Sequence, residues 1–158
     1  MPRSSGGPLR VALTALDAFV AIAAVGGGLA LLLGLEGDRF PTAWLTGTPF
    51  DTYALPGLVL SVLVGGSAAV ATIVLLRSPR TGGLASLLAG LVLAAWIVGE
   101  ILIVTADGEV VSPMEALFLA AGVAMTILGY ATMRGAGLTG SQPGRGPRSA
   151  DEAAGAVR

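Results

Sequence analysis

The sequence predicts an all-α, polytopic membrane protein, an antiparallel bundle of four transmembrane helices. Three observations predict it. Of the 158 residues, 54% are apolar and only 12% charged, about half the charge of an average soluble domain. The apolar residues gather into four long runs, each of roughly 20–25 residues and therefore about 30 Å or more when helical, enough to cross a hydrocarbon core. None of the runs alternates polar and apolar residues, as the strands of a membrane β-barrel would.

The first ten residues are polar, with Arg3 and Arg10, and are read as an N-terminal segment 1–10. A transmembrane domain is expected over 11–134, starting with a helix over 11–35. That run exceeds the apolar stretch of a secretory signal, about 7–15 residues, and reads as a retained span. The loop 36–55 follows. It carries Pro41, Pro49 and the aromatics Phe40, Trp44, Phe50 and Tyr53. Amphipathic rings favour the membrane–water interface, so the loop is expected on the membrane surface. Its length exceeds the usual connection and marks it as a candidate functional segment.

The second helix is expected over 56–76, opening on Pro56 at a first helical position, where a missing N–H costs nothing. A turn through Arg77-Ser78-Pro79-Arg80-Thr81-Gly82-Gly83 leads to the third, over 84–104. After an Asp107-Gly108 turn signal, Ser112-Pro113-Met114-Glu115 has the spacing of a capping box. It opens the fourth helix, over 114–133. The remainder, 135–158, is rich in Gly and Pro with almost no large apolar residue, and is expected to be a disordered tail.

Charge sets the expected topology. With four spans, Arg3, Arg10, Arg77, Arg80, Arg134, Arg145, Arg148 and Arg158 fall on one side and Arg39 alone on the other. The positive-inside rule places both termini in the cytoplasm of a bacterial inner membrane. Stripes of small residues suggest how the helices meet, because in lipid close backbone approach replaces the hydrophobic drive. The stripes are Thr14, Ala21, Ala24 and Gly28; Gly57, Ser61, Gly65, Ala68 and Thr72; Ser86, Ala89 and Gly90; and Gly122, Thr126 and Gly129.

The inventory excludes much chemistry. The chain has no Cys and no His, so thiol redox chemistry, thiolate metal sites and the commonest general base are absent. No nucleophile elbow, zinc spacing or phosphate loop is present, so no catalytic residue, metal or cofactor is expected. The low charge argues against a nucleic-acid partner. The expected partners are membrane lipids, and a second copy or another membrane protein.

Two ionisable residues interrupt the apolar runs. Asp17 lies about two turns into the first helix, and Glu100 about one turn from the far end of the third. A carboxylate at the centre of a bilayer costs about 2.5–3.5 kcal/mol on insertion scales. Both are therefore expected to face the bundle, meet a partner or be protonated, with Glu100 on one face with Ser86, Ala89, Leu93 and Trp96. A structural role would pair Glu100 with Arg39 or Tyr53 and Asp17 with Arg77 or Arg80. A functional role would make Glu100, with or without Asp17, the coupling group of a small proton-coupled transporter or channel. A third reading gathers Arg39, Asp51, Tyr53, Glu100 and Trp96 under the loop 36–55 as a site for a lipid or small molecule. Absent a site above background, the leading reading is a structural or accessory membrane subunit.

The stretch from Trp44 to Glu100 resembles a group of small four-span membrane proteins of high-GC bacteria. The likeness rests on Trp44-Leu45, Pro49-Phe50 with Tyr53, Pro56-Gly57-Leu58, Gly65-Gly66-Ser67, Ala89-Gly90, Trp96-Ile97 and Glu100. It implies a fold and a membrane location and transfers no functional residue.

Overall fold

A computed structural model describes residues 6–35, 52–106 and 112–139. These form four helices, all long and apolar enough to span a membrane, with no strand among the described residues. They are α1 (Gly6–Leu32), α2 (Ala54–Arg77), α3 (Pro79–Ala106) and α4 (Pro113–Thr139). Only 22–33% of the most apolar window of each span is buried inside the bundle. Val11, Ile22, Val62, Leu76, Leu102 and Ile127 are among the large side chains left on the outside. Water would not tolerate so many exposed apolar residues; acyl chains would. The chain is a multi-pass membrane protein with the fold of an all-α four-helix bundle.

Helix ends follow local chemistry. α1 closes with a Schellman motif: Leu35 N–H donates to Ala30 O (2.9 Å) and Gly34 N–H to Leu31 O (3.3 Å), and Gly34 has φ +65°. α4 opens with the reciprocal bonds of a capping box, Ser112 N–H to Glu115 Oε2 (2.6 Å) and Glu115 N–H to Ser112 Oγ (3.4 Å). The turn expected over Arg77–Gly83 is instead a single extended residue, Ser78, after which α3 begins at Pro79. Gly82 and Gly83 are helical. Without side chains they let α3 pass against Leu75 and against the backbone of Gly129 and Met133. The fourth helix also runs to Thr139, so Gly135–Thr139, expected in the tail, extend it; residues 140–158 lie outside the described residues. Within α2, Leu60–Gly65 form a π-helical turn.

Each helix packs on its sequence neighbour, and α1 closes the ring against α4. The tightest seams are made by glycine. Gly83 and Gly90 of α3 meet Gly129 and Gly122 of α4, seven residues apart on both antiparallel helices. A Cβ at Gly90 would stand 2.6 Å from Gly122 O, and one at Gly129 would stand 2.6 Å from Gly83 O. Gly57 and Gly65 of α2 repeat the arrangement against Gly28 and Ala21–Val25 of α1. Between the α1/α2 and α3/α4 pairs the core is filled by larger side chains, Leu13, Val20, Val64, Leu75, Leu93 and Met125, none more than 2% exposed.

Substitution should separate seam glycines from incidental ones. Gly90→Leu and Gly129→Leu must push backbone apart and should each destabilise the bundle by roughly 1–3 kcal/mol or more. Gly26 has nothing within 4 Å of the point a Cβ would occupy, and Gly26→Ala should be neutral or stabilising by up to about 1 kcal/mol. Reversible unfolding in detergent or bicelles measures the difference; equal effects at the three positions would contradict the seam.

Candidate functional site

The polar residues of the described bundle separate into two levels. Toward the end that bears Arg10, Arg77, Arg80 and Arg134, Asp17 of α1 is fully enclosed, at 0% exposure. It lies eleven residues after Gly6, about 16 Å along the helix. Its partner is Ser86 of α3, also at 0% exposure, whose hydroxyl donates to Asp17 Oδ2 at 2.5 Å. Oδ1 is buried with no hydrogen-bond partner. The expected pairing of Asp17 with Arg77 or Arg80 is not formed: both arginines are exposed at the bundle end.

Ser86 is unusual among the small polar residues of the helices. Thr14, Thr72, Thr126 and Thr132 each donate to the carbonyl four residues earlier in their own helix, the ordinary way a hydroxyl is satisfied in a membrane helix. Ser86 donates across the bundle diagonal instead. Ser61 of α2 also reaches a neighbour, the Val25 carbonyl of α1 (3.4 Å).

Arg10 has a role beyond its charge. Its Nε donates to Leu75 O (3.0 Å) and its Nη2 to Leu76 O (2.6 Å). These are carbonyls of the last turn of α2, which lack intrahelical donors and carry the negative end of the helix dipole. The guanidinium thereby ties the start of α1 to the end of α2. A second cation, Arg134, lies over the Tyr130 ring at 4.7 Å. On the outside of the α1/α4 seam, Phe19 and Phe118 stack with centroids 6.4 Å apart.

At the opposite end, Glu100 is exposed on the outer surface of α3, contrary to the expectation that it faces the bundle. The buried stripe of α3 runs through Ser86, Ala89, Leu93 and Ile97, and Ile101 continues it, leaving Glu100 on the flank. The position is tolerable because it lies six residues before the end of α3 at Ala106, near enough to the interface for a long side chain to reach water. Trp96, one turn earlier, is half-buried; its indole N–H lies near the Glu100 carboxylate without making a hydrogen bond of acceptable geometry. Glu115 is close enough for its charge to act on Glu100. Tyr53 holds the N-cap position of α2, and burial pushes its phenol above the ordinary value. Arg39 and Asp51 lie outside the described residues, as does most of the loop 36–55.

The described candidates fall at two levels: Asp17 toward the arginine-bearing end, and Glu100, Trp96 and Tyr53 toward the opposite end. Ser86, which marks the level of Asp17, and Glu100 are fourteen residues apart on α3, about 21 Å along the axis. Among the described residues no three Asp or Glu gather as a metal would require. What sequence reasoning missed is the Asp17–Ser86 pair. The signal was depth: on helices that run in the same direction, Asp17 stands about three turns and Ser86 about two turns inside the same end. No protein-family model matches the chain, and no curated protein or solved structure is similar to it.

Arg10→Ala removes two charge-assisted bonds and should destabilise the bundle by about 1.5–3 kcal/mol, whereas exposed Arg77→Ala should change stability by less than about 0.5 kcal/mol. Unfolding of the two variants side by side checks this; similar losses would assign the effect to net charge.

Proposed function

We propose that this protein is a structural or accessory subunit of a membrane assembly, acting through lateral association with a second copy or another membrane protein. The observation that carries the reading is Glu100, an ionisable residue within a span of α3 that is exposed on the outside of the bundle. Ionisable groups inside spans ordinarily turn toward protein or water; interfacial water can meet Glu100 in the lone bundle, and in an assembly a neighbouring polypeptide would meet it on the same outer face. The filled core between the helix pairs is in keeping with a packing role.

A second reading, a small proton-coupled transporter or channel, draws support from the enclosed Asp17 carboxyl. It requires proton-driven flux that Asp17→Asn or Glu100→Gln abolishes in proteoliposomes, a requirement the accessory role does not share. A third reading joins Arg39, Asp51, Tyr53, Glu100 and Trp96 as one binding site; its support is Trp96 beside Glu100 and Tyr53 at the start of α2, and Arg39 and Asp51 lie outside the described residues.

We also propose a bacterial inner-membrane location with both termini cytoplasmic. Its support is the arginine count, eight on one side against Arg39 alone on the other. A relation to small four-span proteins of high-GC bacteria is in keeping with the same location.

The accessory role predicts that the full chain, extracted in mild detergent or native nanodiscs, migrates as an oligomer or with a membrane-protein partner, and that Glu100→Leu changes this state. A monodisperse monomer unaffected by Glu100→Leu would overturn it. For topology, the absence of cysteine allows single probes. A membrane-impermeant maleimide should label Thr46→Cys in intact cells and Ser4→Cys only after lysis; the reverse pattern would invert the orientation.

A further inference from the structure

The least satisfied group in the described bundle is Asp17. An ionised carboxylate accepts about four hydrogen bonds; Asp17 receives one, from Ser86, and its Oδ1 is enclosed without a partner. No charged side chain among the described residues is turned toward it. On α1, Arg10 binds the Leu75 and Leu76 carbonyls. On α2 and α3, Arg77 and Arg80 are exposed, and on α4 Arg134 lies over Tyr130. The hydroxyls of Thr14 and Thr132 bond their own helices. With a proton on Oδ2 the bond can reverse, the acid O–H donating to Ser86 Oγ, and the remaining Oδ1 becomes a carbonyl oxygen, the mildest kind of buried orphan. Without that proton, a bare charge sits in an apolar core, the costliest kind.

The bond also has a position that gives it leverage. Glycine seams bind α1 to α2 and α3 to α4, and Gly82 with the Ser78 connection joins α2 to α3 at the arginine-bearing end, whereas Asp17–Ser86 crosses the diagonal from one pair to the other. α1 and α3 otherwise barely touch. Solvating a charge at Asp17 therefore requires the two pairs to part, and the shorter way to water leads to the arginine-bearing end.

We propose that Asp17 and Ser86 form a single proton-binding site in the core of the bundle, and that loss of the proton opens the arginine-bearing half on its α1/α4 side, the α1/α2 and α3/α4 pairs hinging about the α2/α3 connection. The step is an acid dissociation: the O–H bond of the carboxylic acid breaks, the electron pair stays on Asp17, and one proton leaves to water. Rebinding reverses it and closes the pairs. This goes beyond the accessory role and is independent of whether Glu100 meets a partner.

The test uses the full chain in lipid vesicles. Infrared difference spectroscopy during a pH titration should show the C=O stretch of a protonated carboxylic acid, lost as pH rises, present in Glu100→Gln and absent in Asp17→Asn. In parallel, spin labels at Val11→Cys and Leu84→Cys, both exposed outside the bundle, report the α1–α3 distance near the arginine-bearing end. That distance should lengthen over the same pH range in the parent chain and stay short at every pH when Asp17→Asn is added. Ser86→Ala keeps the acid and removes its partner, so it should shift both the band and its midpoint even if Asp17→Asn fails to fold. An acid band that does not depend on Asp17, a band unaffected by Ser86→Ala, or a distance that ignores the titration would each overturn the proposal.

Discussion

Acyl chains are as apolar as leucine, so burying a leucine between two helices in a bilayer gains little over leaving it against lipid. What holds such helices together is the closeness with which their backbones approach, and closeness requires residues without bulk. That constraint explains where this chain places Gly28, Gly57, Gly65, Gly83, Gly90, Gly122 and Gly129. Each lies where a methyl group would collide with a neighbouring helix. Gly26 and Gly66 lie on the same helices with open space before them, so abundance of glycine is not itself the cause. The seven-residue spacing of Gly83 with Gly90, and of Gly122 with Gly129, keeps both contacts on one face of slightly inclined antiparallel helices.

The same solvent makes every polar group inside the bundle answerable. Threonines return their protons to their own helix. Arg10, at the boundary, supplies donors to carbonyls that α2 leaves bare. The two carboxylates are treated in opposite ways. Glu100 is placed near an end and outside, where a flexible side chain can reach water. Asp17 is sealed in and given one hydroxyl. Replacing a buried polar pair with well-packed apolar residues is often no worse for stability. An enclosed aspartate with a free oxygen therefore draws attention to what its proton does.

Much of the architecture was legible in the residues. Run length and composition sufficed for four spans, and the Ser112–Glu115 spacing for the start of α4, because both are local properties. The small-residue stripes were legible too, since 3.6-residue periodicity maps onto a face. What was not legible came from contacts between helices. Periodicity places Glu100 with Ser86 and Leu93, but over four turns the buried stripe drifts to Ile97 and Ile101, and Glu100 rotates outward. Arg10 reads as one of eight topological charges, and nothing in its spacing announces that α2 ends beside it. Charge is visible in a sequence and points Asp17 toward a cation, whereas the partner it has, Ser86, depends on the register of two helices that are not neighbours in the chain.

The most direct measurement is of proximity in the bilayer itself. Solid-state NMR on the full chain in lipid, with glycine labelled, should give through-space correlations from Gly90 to Gly122 and Thr126 and from Gly28 to Gly57. Those glycines should in turn show little magnetisation transfer from the acyl chains. Glycines in contact with lipid, and without partners across the helix pairs, would contradict backbone closeness as the force that holds the bundle.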